Sequence, residues 1–241
     1  MTTPGYRTRQ ERIAISGVPD LVIRSLLDHQ QFYDPTGAAE RLGICSASWP
    51  LFGLLWPSSV RLAEQFAQRP VCPDERILEI GCGLALASLV GHRQGARITA
   101  SDRHPLAEAF LEENASLNDL TSVQYRHGQW GTTSKPSLQD IGAEHLSARY
   151  DLVIGSDLLY ERDTPEMLAS FIDDHATASA EVWMVDPDRG HRSAFNRHMA
   201  TYGFMLDSDE RLHKPSLQIA GRTEAYKGRL LTYRRQSSTV N

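Results

Sequence analysis

The sequence has few cysteines and no long apolar run. Its three cysteines among 241 residues, at positions 45, 72 and 82, are odd in number and too far apart for a disulfide framework or a zinc site. No stretch approaches the roughly 20 apolar residues of a membrane-spanning helix, and the first residues lack the apolar segment of a secretory signal. We therefore expect a protein of a reducing compartment, the cytoplasm, without a membrane span or a metal site.

Basic residues are also scarce. Lysine and arginine number 25 against 30 aspartates and glutamates, a net charge of −5, whereas proteins that bind nucleic acid usually carry an excess of positive charge. Neither the Gly-x-Ser-x-Gly turn of serine hydrolases nor a phosphate-loop lysine occurs. The sequence therefore argues against nucleic acid as the main ligand, and against a hydrolase or a nucleoside triphosphatase.

What the chain does contain is a regular alternation of strand-like and helix-like segments. From position 76 onward, five apolar strand-like runs, the first of them "RILEI", are separated by helix-like stretches. Two late strands, "FMLDSDERL" and "GRLLTYRR", follow with no long helix between them. This pattern predicts an α/β, doubly wound, mostly parallel sheet of seven strands with an antiparallel edge.

The first 70 residues have a different pattern. The stretch "ERIAISGVPDLVIRSLL" predicts two short strands around a Gly-Val-Pro turn, and an amphipathic helix is expected from about Ser58 to Gln68. No linker-like composition separates this region from the rest. We expect residues 1–70 to form an N-terminal extension, or lid, packed on the domain of residues 71–236, with a frayed tail at 237–241.

A glycine-rich turn follows the strand that begins at position 76. Gly81 and Gly83 allow a sharp turn and let a ligand approach the bare main chain. Asp102 ends the next strand, 21 residues after Gly81, where an acidic residue holds the ribose hydroxyls in nucleotide-binding sheets. A tight turn and a helix-capping aspartate would explain these residues one by one, but together they favour a nucleoside-type cofactor.

Two residues indicate which nucleoside. Leu86 stands where a dinucleotide-binding turn has its third glycine, so the contact of a diphosphate with the helix N-terminus is less well provided for. Glu79, at the tip of the strand, would repel a diphosphate but suits a positively charged sulfonium or α-ammonium group. The turn therefore favours S-adenosylmethionine.

The motifs around this turn resemble those of a known family. "LEIGCGLA" and "ASD" resemble the first two motifs of the class I, seven-strand S-adenosylmethionine-dependent methyltransferases, and the resemblance extends from Arg76 to the C-terminus. "LLWPSSVRLAE", "GQWG" and "GSDLLYE" resemble the group of protein-lysine methyltransferases marked by an Asp-x-x-Tyr motif. The chain departs from the family at Ala85, where a third glycine is common, and in "TTSKPSLQDIGAEHLSA", which we expect to be a loop.

The resemblance implies N-methylation of a protein lysine and roles for ten residues. Asp157 would orient the acceptor amine, and Tyr160 would shape the channel for its aliphatic stem. The other eight would bind S-adenosylmethionine and its product, S-adenosylhomocysteine: Trp56, Glu79, Gly81, Cys82, Gly83, Asp102, Trp130 and Ser156.

Several alternatives stay open at this point. The acceptor could be a small amine or another metabolite, which would call for an enclosed apolar pocket instead of an open trough. A non-catalytic nucleoside-binding scaffold and a dinucleotide-dependent reductase are further alternatives. Cys82 and Trp130 could be core residues, Asp157 could cap a helix, and the segment from Asp186 to His191 could be a turn or a wall of the pocket.

Overall fold

The computed structural model describes residues 5–131, 136–160, 164–219 and 222–235, with the backbone alone for 213–219 and 222–225. The expected tail at 237–241 lies outside the described residues. The strands of the described chain are β1 (Thr8–Ile13), β2 (Leu21–Leu26), β3 (Arg76–Ile80), β4 (Arg97–Asp102), β5 (Gln124–His127), β6 (Tyr150–Ser156), β7 (Ala176–Asp186), β8 (Phe204–Ile219) and β9 (Arg222–Arg235).

Helices connect most of these strands. They are α1 (Ala38–Arg41), α2 (Pro57–Ala67), α3 (Leu86–Arg93), α4 (Ala107–Leu117), α5 (Leu138–Ile141), α6 (Thr164–His175) and α7 (Arg192–Thr201), with a short 3₁₀ helix at Trp49–Gly53.

The main sheet has seven strands in the order β5-β4-β3-β6-β7-β9-β8. The first five are parallel, and β9 runs antiparallel to both β7 and β8. This order confirms the predicted doubly wound sheet with an antiparallel edge. It reverses between β3 and β6, and in such sheets ligands bind beyond the carboxyl ends of the strands at that reversal.

Alternate residues of the central strands pack into two different apolar clusters. Ile77 and Leu152 belong to the cluster under α2 and α3, whereas Leu78, Ile80 and Val153 belong to the cluster under α6 and α7. Successive side chains of a strand point to opposite faces, so an all-apolar strand requires cover on both sides. The helices supply that cover and fix the carboxyl ends of β3 and β6 side by side.

Two segments differ from the sequence prediction. The helix-like stretch "LALASLVGHRQ" predicts a helix from Leu84, but α3 begins at Leu86, because Ala85 adopts a left-handed conformation with φ of 56°. The predicted loop after Trp130 contains α5, whose first turn is capped by the Ser137 hydroxyl accepting from the Asp140 N–H. The loop prediction is therefore wrong at α5; residues 132–135 of that segment lie outside the described chain.

The N-terminal hairpin of β1 and β2 is held against the main domain by two asparagines, Asn114 of α4 and Asn118 directly after it. The N–H groups of Val22 and Arg24 donate to Asn118 Oδ1 and Asn114 Oδ1 at 2.9 and 2.7 Å, and each asparagine amide donates back to the carbonyl of the same residue. Spaced four apart, Asn114 and Asn118 share one face of α4. They satisfy the backbone groups of the free edge of β2 much as another strand would.

Candidate active site

A cavity of about 290 Å³ opens at the carboxyl ends of β3 and β6, where the strand order reverses. Ligand sites in such sheets occur at this position. Nine of the ten residues predicted for the site line it: Trp56, Gly81, Cys82, Gly83, Asp102, Trp130, Ser156, Asp157 and Tyr160. The tenth, Glu79, is not among the lining residues.

The turn after β3 has left-handed backbone at every second residue. Gly81, Gly83 and Ala85 have φ of 55°, 52° and 56°. A Cβ at Gly83 would lie 2.9 Å from the Phe52 carbonyl oxygen, and one at Gly81 would lie 2.5 Å from Leu158 Cδ2. Glycine is therefore needed at 81 and 83 both for the backbone conformation and for the close approach of the surrounding chain.

Asp102 joins this turn to the end of β4. Its Oδ2 accepts the Gly83 N–H at 3.0 Å, and its Oδ1 accepts the His104 N–H at 2.9 Å. Burial raises the pKa of the carboxyl, and the two backbone N–H donors act in the opposite direction. The carboxylate thus fixes the glycine turn and the loop after β4 relative to each other.

The geometry around Asp102 fits a ribose-bearing cofactor. An ionised carboxylate offers about four lone-pair positions, of which the two backbone N–H groups use two. Because the Asp102 side chain lines the cavity, its other two lone-pair positions can accept hydrogen bonds from the two neighbouring hydroxyls of a ribose. A flat aromatic ring lies next to the glycine turn, since Trp130 Cη2 is 3.3 Å from where a Gly81 Cβ would be.

Glu79 contacts the helix that follows the glycine turn. Its Oε2 accepts both the Ser88 N–H, at 2.7 Å, and the Ser88 hydroxyl, at 2.5 Å. Burial raises the pKa of this carboxyl to about 7 against the lowering effect of Ser88. The contacts show Glu79 holding the first turn of α3; its contribution to cofactor binding stays a prediction.

The other residues predicted for the cofactor end differ in their surroundings. Trp56 donates its indole N–H to the Leu51 carbonyl at 2.9 Å, and Trp130 packs edge-on against Phe171. Cys82 is buried, its N–H donates to the Ser101 carbonyl, and burial raises the pKa of its thiol. A thiol with a raised pKa is a poor nucleophile, which favours the interpretation of Cys82 as a small filler.

The end of the cavity that was predicted to meet the acceptor is formed by residues after β6, including Asp157 and Tyr160. Asp157 has left-handed backbone with φ of 55°, and its N–H donates to the Val185 carbonyl at 2.9 Å. Its carboxylate accepts a bidentate pair from Arg189, with Nε to Oδ1 at 2.9 Å and Nη2 to Oδ2 at 3.0 Å. Tyr160 lies at the mouth and is 40% exposed. Both oxygens of the Asp157 carboxylate are therefore hydrogen-bonded to the Arg189 guanidinium.

The segment after β7 places one of its three candidate residues in the site. Arg189 lines the cavity, whereas Asp186 and His191 do not. Asp186 is buried beside the cavity wall, and its burial, together with the charges of Asp188 and Asp157, raises its pKa to about 6. The segment is both a turn and, through Arg189, part of the wall.

Sequence reasoning missed part of the lining. The His104 ring stacks on Phe52 at 3.6 Å, and burial lowers its pKa to about 3, so the ring is neutral. Trp49 is fully buried beside this pair and does not line the cavity. The position of His104 two residues after Asp102 could have indicated it, although "RHP" is more typical of a surface loop, and no pattern in the sequence marks Phe52 or the 3₁₀ helix.

Two kinds of feature are missing from the described part of the chain. No group of three or more histidine, cysteine, aspartate or glutamate side chains among residues 5–131, 136–160, 164–219 and 222–235 is arranged to hold a metal ion. Within the same ranges, every helix is too short or too polar to cross a bilayer.

Comparison with known proteins identifies the family. Residues 52–201 match the model of a family described as "Lysine methyltransferase". The rat protein "Histone-arginine methyltransferase METTL23" is 29% identical over 121 residues, which cover 49% of this chain and 51% of that protein. The zebrafish (Danio rerio) "Protein N-lysine methyltransferase METTL21A" is 29% identical over 143 residues, covering 56% and 62%.

A solved structure shares the fold. The ribosomal protein L11 methylase of Lactobacillus delbrueckii subsp. bulgaricus superposes with a TM-score of 0.52 at 19% identity, over 74% of this chain and 78% of that one. The chain spans about half the length of the rat relative. The family model, by contrast, covers more than half of this chain and includes the glycine turn, Asp102, Trp130 and the Asp157–Tyr160 motif. The chain therefore belongs to the lysine methyltransferase family of class I, S-adenosylmethionine-dependent methyltransferases.

Proposed function

We propose that this protein transfers a methyl group from S-adenosylmethionine to the side-chain amine of a lysine in a protein substrate. The observation that carries the proposal is the meeting of two groups in one cavity: the Asp102–Gly83 contact, suited to a ribose-bearing ligand, and the Asp157 carboxylate, suited to a cationic side chain. Membership of the lysine methyltransferase family supports it.

We assign the cofactor end as follows. Asp102 would accept the ribose hydroxyls, and the backbone of residues 81–83 would contact the amino-acid end of the cofactor. Trp130 would pack on the adenine, Trp56 would close the pocket from the N-terminal side, and Ser156 would lie between the cofactor and the acceptor. The lining of one cavity by all of these residues supports the assignment.

Asp157 and Tyr160 would serve the acceptor. When bound, S-adenosylmethionine supplies a methyl group that is already activated on a sulfonium sulfur. The protein's task is then alignment and charge stabilisation. The acceptor ammonium first loses a proton to solvent at the half-open mouth, and its nitrogen lone pair then attacks the methyl carbon as the carbon–sulfur bond breaks. Positive charge develops again on the nitrogen during transfer, so the Asp157 carboxylate favours the reaction electrostatically. Tyr160 would flank the aliphatic stem of the acceptor.

The openness of the acceptor end favours a protein substrate over a metabolite. Tyr160 is 40% exposed, and the side chain of Arg189 is 47% exposed. A metabolite site would enclose most of its ligand in an apolar pocket. Among the described residues, the acceptor end has charged and half-exposed walls, which suits a side chain presented on a larger surface.

An arginine acceptor is a second candidate. The Asp157 carboxylate already holds a guanidinium in the bidentate geometry that favours arginine over lysine. The rat relative is named a histone-arginine methyltransferase. The two candidates differ only in the residue that is modified, so one measurement separates them.

We further propose that residues 1–70 act as a lid on the domain that follows, and that the protein works in the cytoplasm. The lid is supported by Leu51, Phe52 and Trp56, which line the cavity from the N-terminal side. A reducing compartment is supported by two exposed free thiols, Cys45 and Cys72, which an oxidising compartment would put at risk of pairing.

Calorimetry and labelling test the proposal in sequence. The protein should bind S-adenosylhomocysteine, and with labelled S-adenosylmethionine it should label protein in a cell lysate. Fragment masses of the labelled species then show whether lysine or arginine carries the methyl group. Failure to bind either the methyl donor or its demethylated product would refute the proposal.

A variant of Asp157 tests its assigned role. Asp157→Ala should lower turnover on the identified substrate by about 100-fold, a size typical of removing one electrostatic contact in an active site. Its affinity for S-adenosylhomocysteine should stay within about threefold of native, because Asp157 is assigned to the acceptor. Near-native turnover would show that the role is wrong.

A further inference from the structure

The carboxylate assigned to the acceptor is occupied by the protein's own side chain. Both oxygens of Asp157 accept from Arg189, so an incoming amine meets an ion pair and not a free carboxylate. The two partners differ in exposure: the Asp157 side chain is 10% exposed and that of Arg189 is 47% exposed. One partner is therefore fixed in the wall and the other lies at the mouth.

The backbone on either side gives the same contrast. Asp157 directly follows β6, and its N–H is hydrogen-bonded to the Val185 carbonyl of the adjacent strand. Arg189 lies in the turn between β7 and α7, between Asp188 and Gly190, whose φ values are 65° and 95°. A side chain on such a turn can rotate away without opening the sheet, whereas Asp157 stays in place.

Several acidic side chains lie near the Asp157–Arg189 pair. Asp157, Asp186 and Asp188 lie together, and the guanidinium of Arg189 contacts the first of them. Arg192 is directed elsewhere, with its Nη1 at 3.9 Å from Asp188 Oδ1 and 3.6 Å from Asp209 Oδ2. When Arg189 rotates away, no basic side chain among the described residues is left in contact with the Asp157 carboxylate, which lies beside a second buried acid.

We propose that Arg189 occupies on Asp157 the place that the cationic end of the acceptor side chain takes, so that an acceptor enters by displacing it. This inference rests on the proposed function and narrows its substrate class. The acceptor must carry a positive charge at the end of an aliphatic stem, as lysine and arginine do. A neutral alcohol or a carboxylic acid cannot replace Arg189, because it would leave the Asp157 charge unpaired.

Binding of small probes to the protein saturated with S-adenosylhomocysteine tests this inference. The probes are Nα-acetyl-lysine amide, Nα-acetyl-arginine amide and the uncharged Nα-acetyl-norleucine amide. While Arg189 pairs with Asp157, only the fraction of protein molecules in which that pair is open can bind a probe, which weakens the apparent affinity. Arg189→Ala removes this competition, so it should bind both cationic probes about tenfold more tightly than the native protein does. The norleucine probe should bind equally to both.

Three further variants act as controls. Arg192→Ala removes a neighbouring arginine that does not contact Asp157, and should bind the probes as the native protein does. Arg189→Lys keeps a cation at the mouth and should also stay near native. Adding Asp157→Asn to Arg189→Ala should abolish the gain, because the carboxylate that the probe uses is then gone.

The outcomes separate the two proposals. An unchanged or weaker affinity of Arg189→Ala for the cationic probes would overturn the inference, and so would an equal gain for norleucine or for Arg189→Lys. If S-adenosylhomocysteine binds to every variant and the gain is missing, only this inference fails. If no variant binds S-adenosylhomocysteine, the proposed function fails first.

Discussion

The two ends of the cavity are built in opposite ways. At the cofactor end, Glu79 and Asp102 are buried, and their oxygens accept from groups of neighbouring elements at 2.5–3.0 Å. At the acceptor end, Arg189 and Tyr160 are among the more exposed residues of the lining. A rigid cofactor end keeps one ligand in a fixed position, whereas a half-open acceptor end can admit part of a large partner.

Under the proposed function, this contrast follows from what each end recognises. A cofactor is small and constant in shape, so buried, fully bonded groups can be arranged around it in advance. A protein side chain arrives with its own surroundings, and the residues that meet it have to remain accessible. Changes at the cofactor end should therefore alter cofactor binding and folding together, and changes at the acceptor end should alter turnover and acceptor binding with little effect on cofactor binding or folding.

The largest effect is expected from filling the glycine turn. In Gly83→Ala the new Cβ would lie 2.9 Å from the Phe52 carbonyl, at a φ of 52° that alanine tolerates poorly. We expect affinity for S-adenosylhomocysteine, measured by calorimetry, to fall at least about 100-fold, equivalent to about 2.7 kcal/mol.

Gly95→Ala is the matched control for this substitution. Gly95 also has a positive φ, of 86°, but nothing lies within 4 Å of its added Cβ. The control should carry the backbone strain and keep the cofactor affinity. Equal losses in the two variants would show that general destabilisation, and not the shape of the turn, controls binding.

Removing the carboxylate of Asp102 should have the next largest effect. Asp102→Ala deprives the Gly83 and His104 N–H groups of their acceptor and removes the proposed partner of the ribose. Losing hydrogen bonds to a charged group costs about 2–2.7 kcal/mol, so S-adenosylhomocysteine should bind roughly 30–100-fold more weakly in titration.

Asp151→Ala provides the comparison on an exposed carboxylate. Asp151 accepts from the Arg76 N–H at 3.0 Å near the start of β3, at the opposite edge of the sheet from the cavity. Its removal should leave cofactor affinity within about twofold of native. A similar loss in both variants would contradict the assignment of Asp102.

Glu79 makes the stability of the cofactor end depend on pH. Because its pKa is raised to about 7 in the fold, from 4.5 when unfolded, the folded state binds the proton more tightly. The stabilisation of the protonated form is fully present below pH 4.5 and is lost as the pH rises through 7. The free energy of unfolding should therefore fall over this range, by up to about 3 kcal/mol.

Glu79→Gln should flatten that part of the profile. A glutamine carbonyl can still accept from Ser88 and does not ionise, so the variant should be at least as stable as native at pH 8. Urea unfolding from pH 4.5 to 8 measures this. The same slope in the native protein and in Glu79→Gln would mean that Glu79 does not titrate in this range. Glu113→Gln, at an exposed glutamate, is the control, and its profile should keep the native slope.

The smallest effect is expected at Ala85. Its left-handed backbone costs an L-residue about 1–2 kcal/mol, and glycine would relieve this at the expense of chain entropy and one buried methyl group. Ala85→Gly should stabilise the protein by about 0.5 kcal/mol in urea unfolding. A loss of stability would show that packing of the methyl group outweighs the backbone strain.

Much of the cofactor end could be predicted because its residues are local in sequence. The turn from Gly81 to Gly83 directly follows one strand, and Asp102 ends the next, so parallel pairing alone brings them together. The direction of the Glu79 side chain could not be predicted in the same way. It depends on the contact with Ser88 and on the start of α3 at Leu86, which the left-handed Ala85 sets.

The acceptor end and the lid depend on contacts between distant parts of the chain. Asp157 and Arg189 are 32 residues apart, and no periodicity pairs them. Phe52 reaches the cavity only because the N-terminal region packs on the main domain, partly through Asn114 and Asn118. Strand pattern predicts the elements themselves, but such pairings arise from tertiary packing.

The bond between Gly83 and Asp102 also bears on which nucleotides the protein excludes. In dinucleotide-binding folds, the backbone N–H groups of the corresponding turn face a pyrophosphate. Here the Gly83 N–H is already given to the chain's own aspartate. A pyrophosphate at this turn would have to bind without the Gly83 N–H, one of the donors of a dinucleotide-binding turn, so the turn offers NAD or FAD fewer contacts than it offers a nucleoside without a diphosphate.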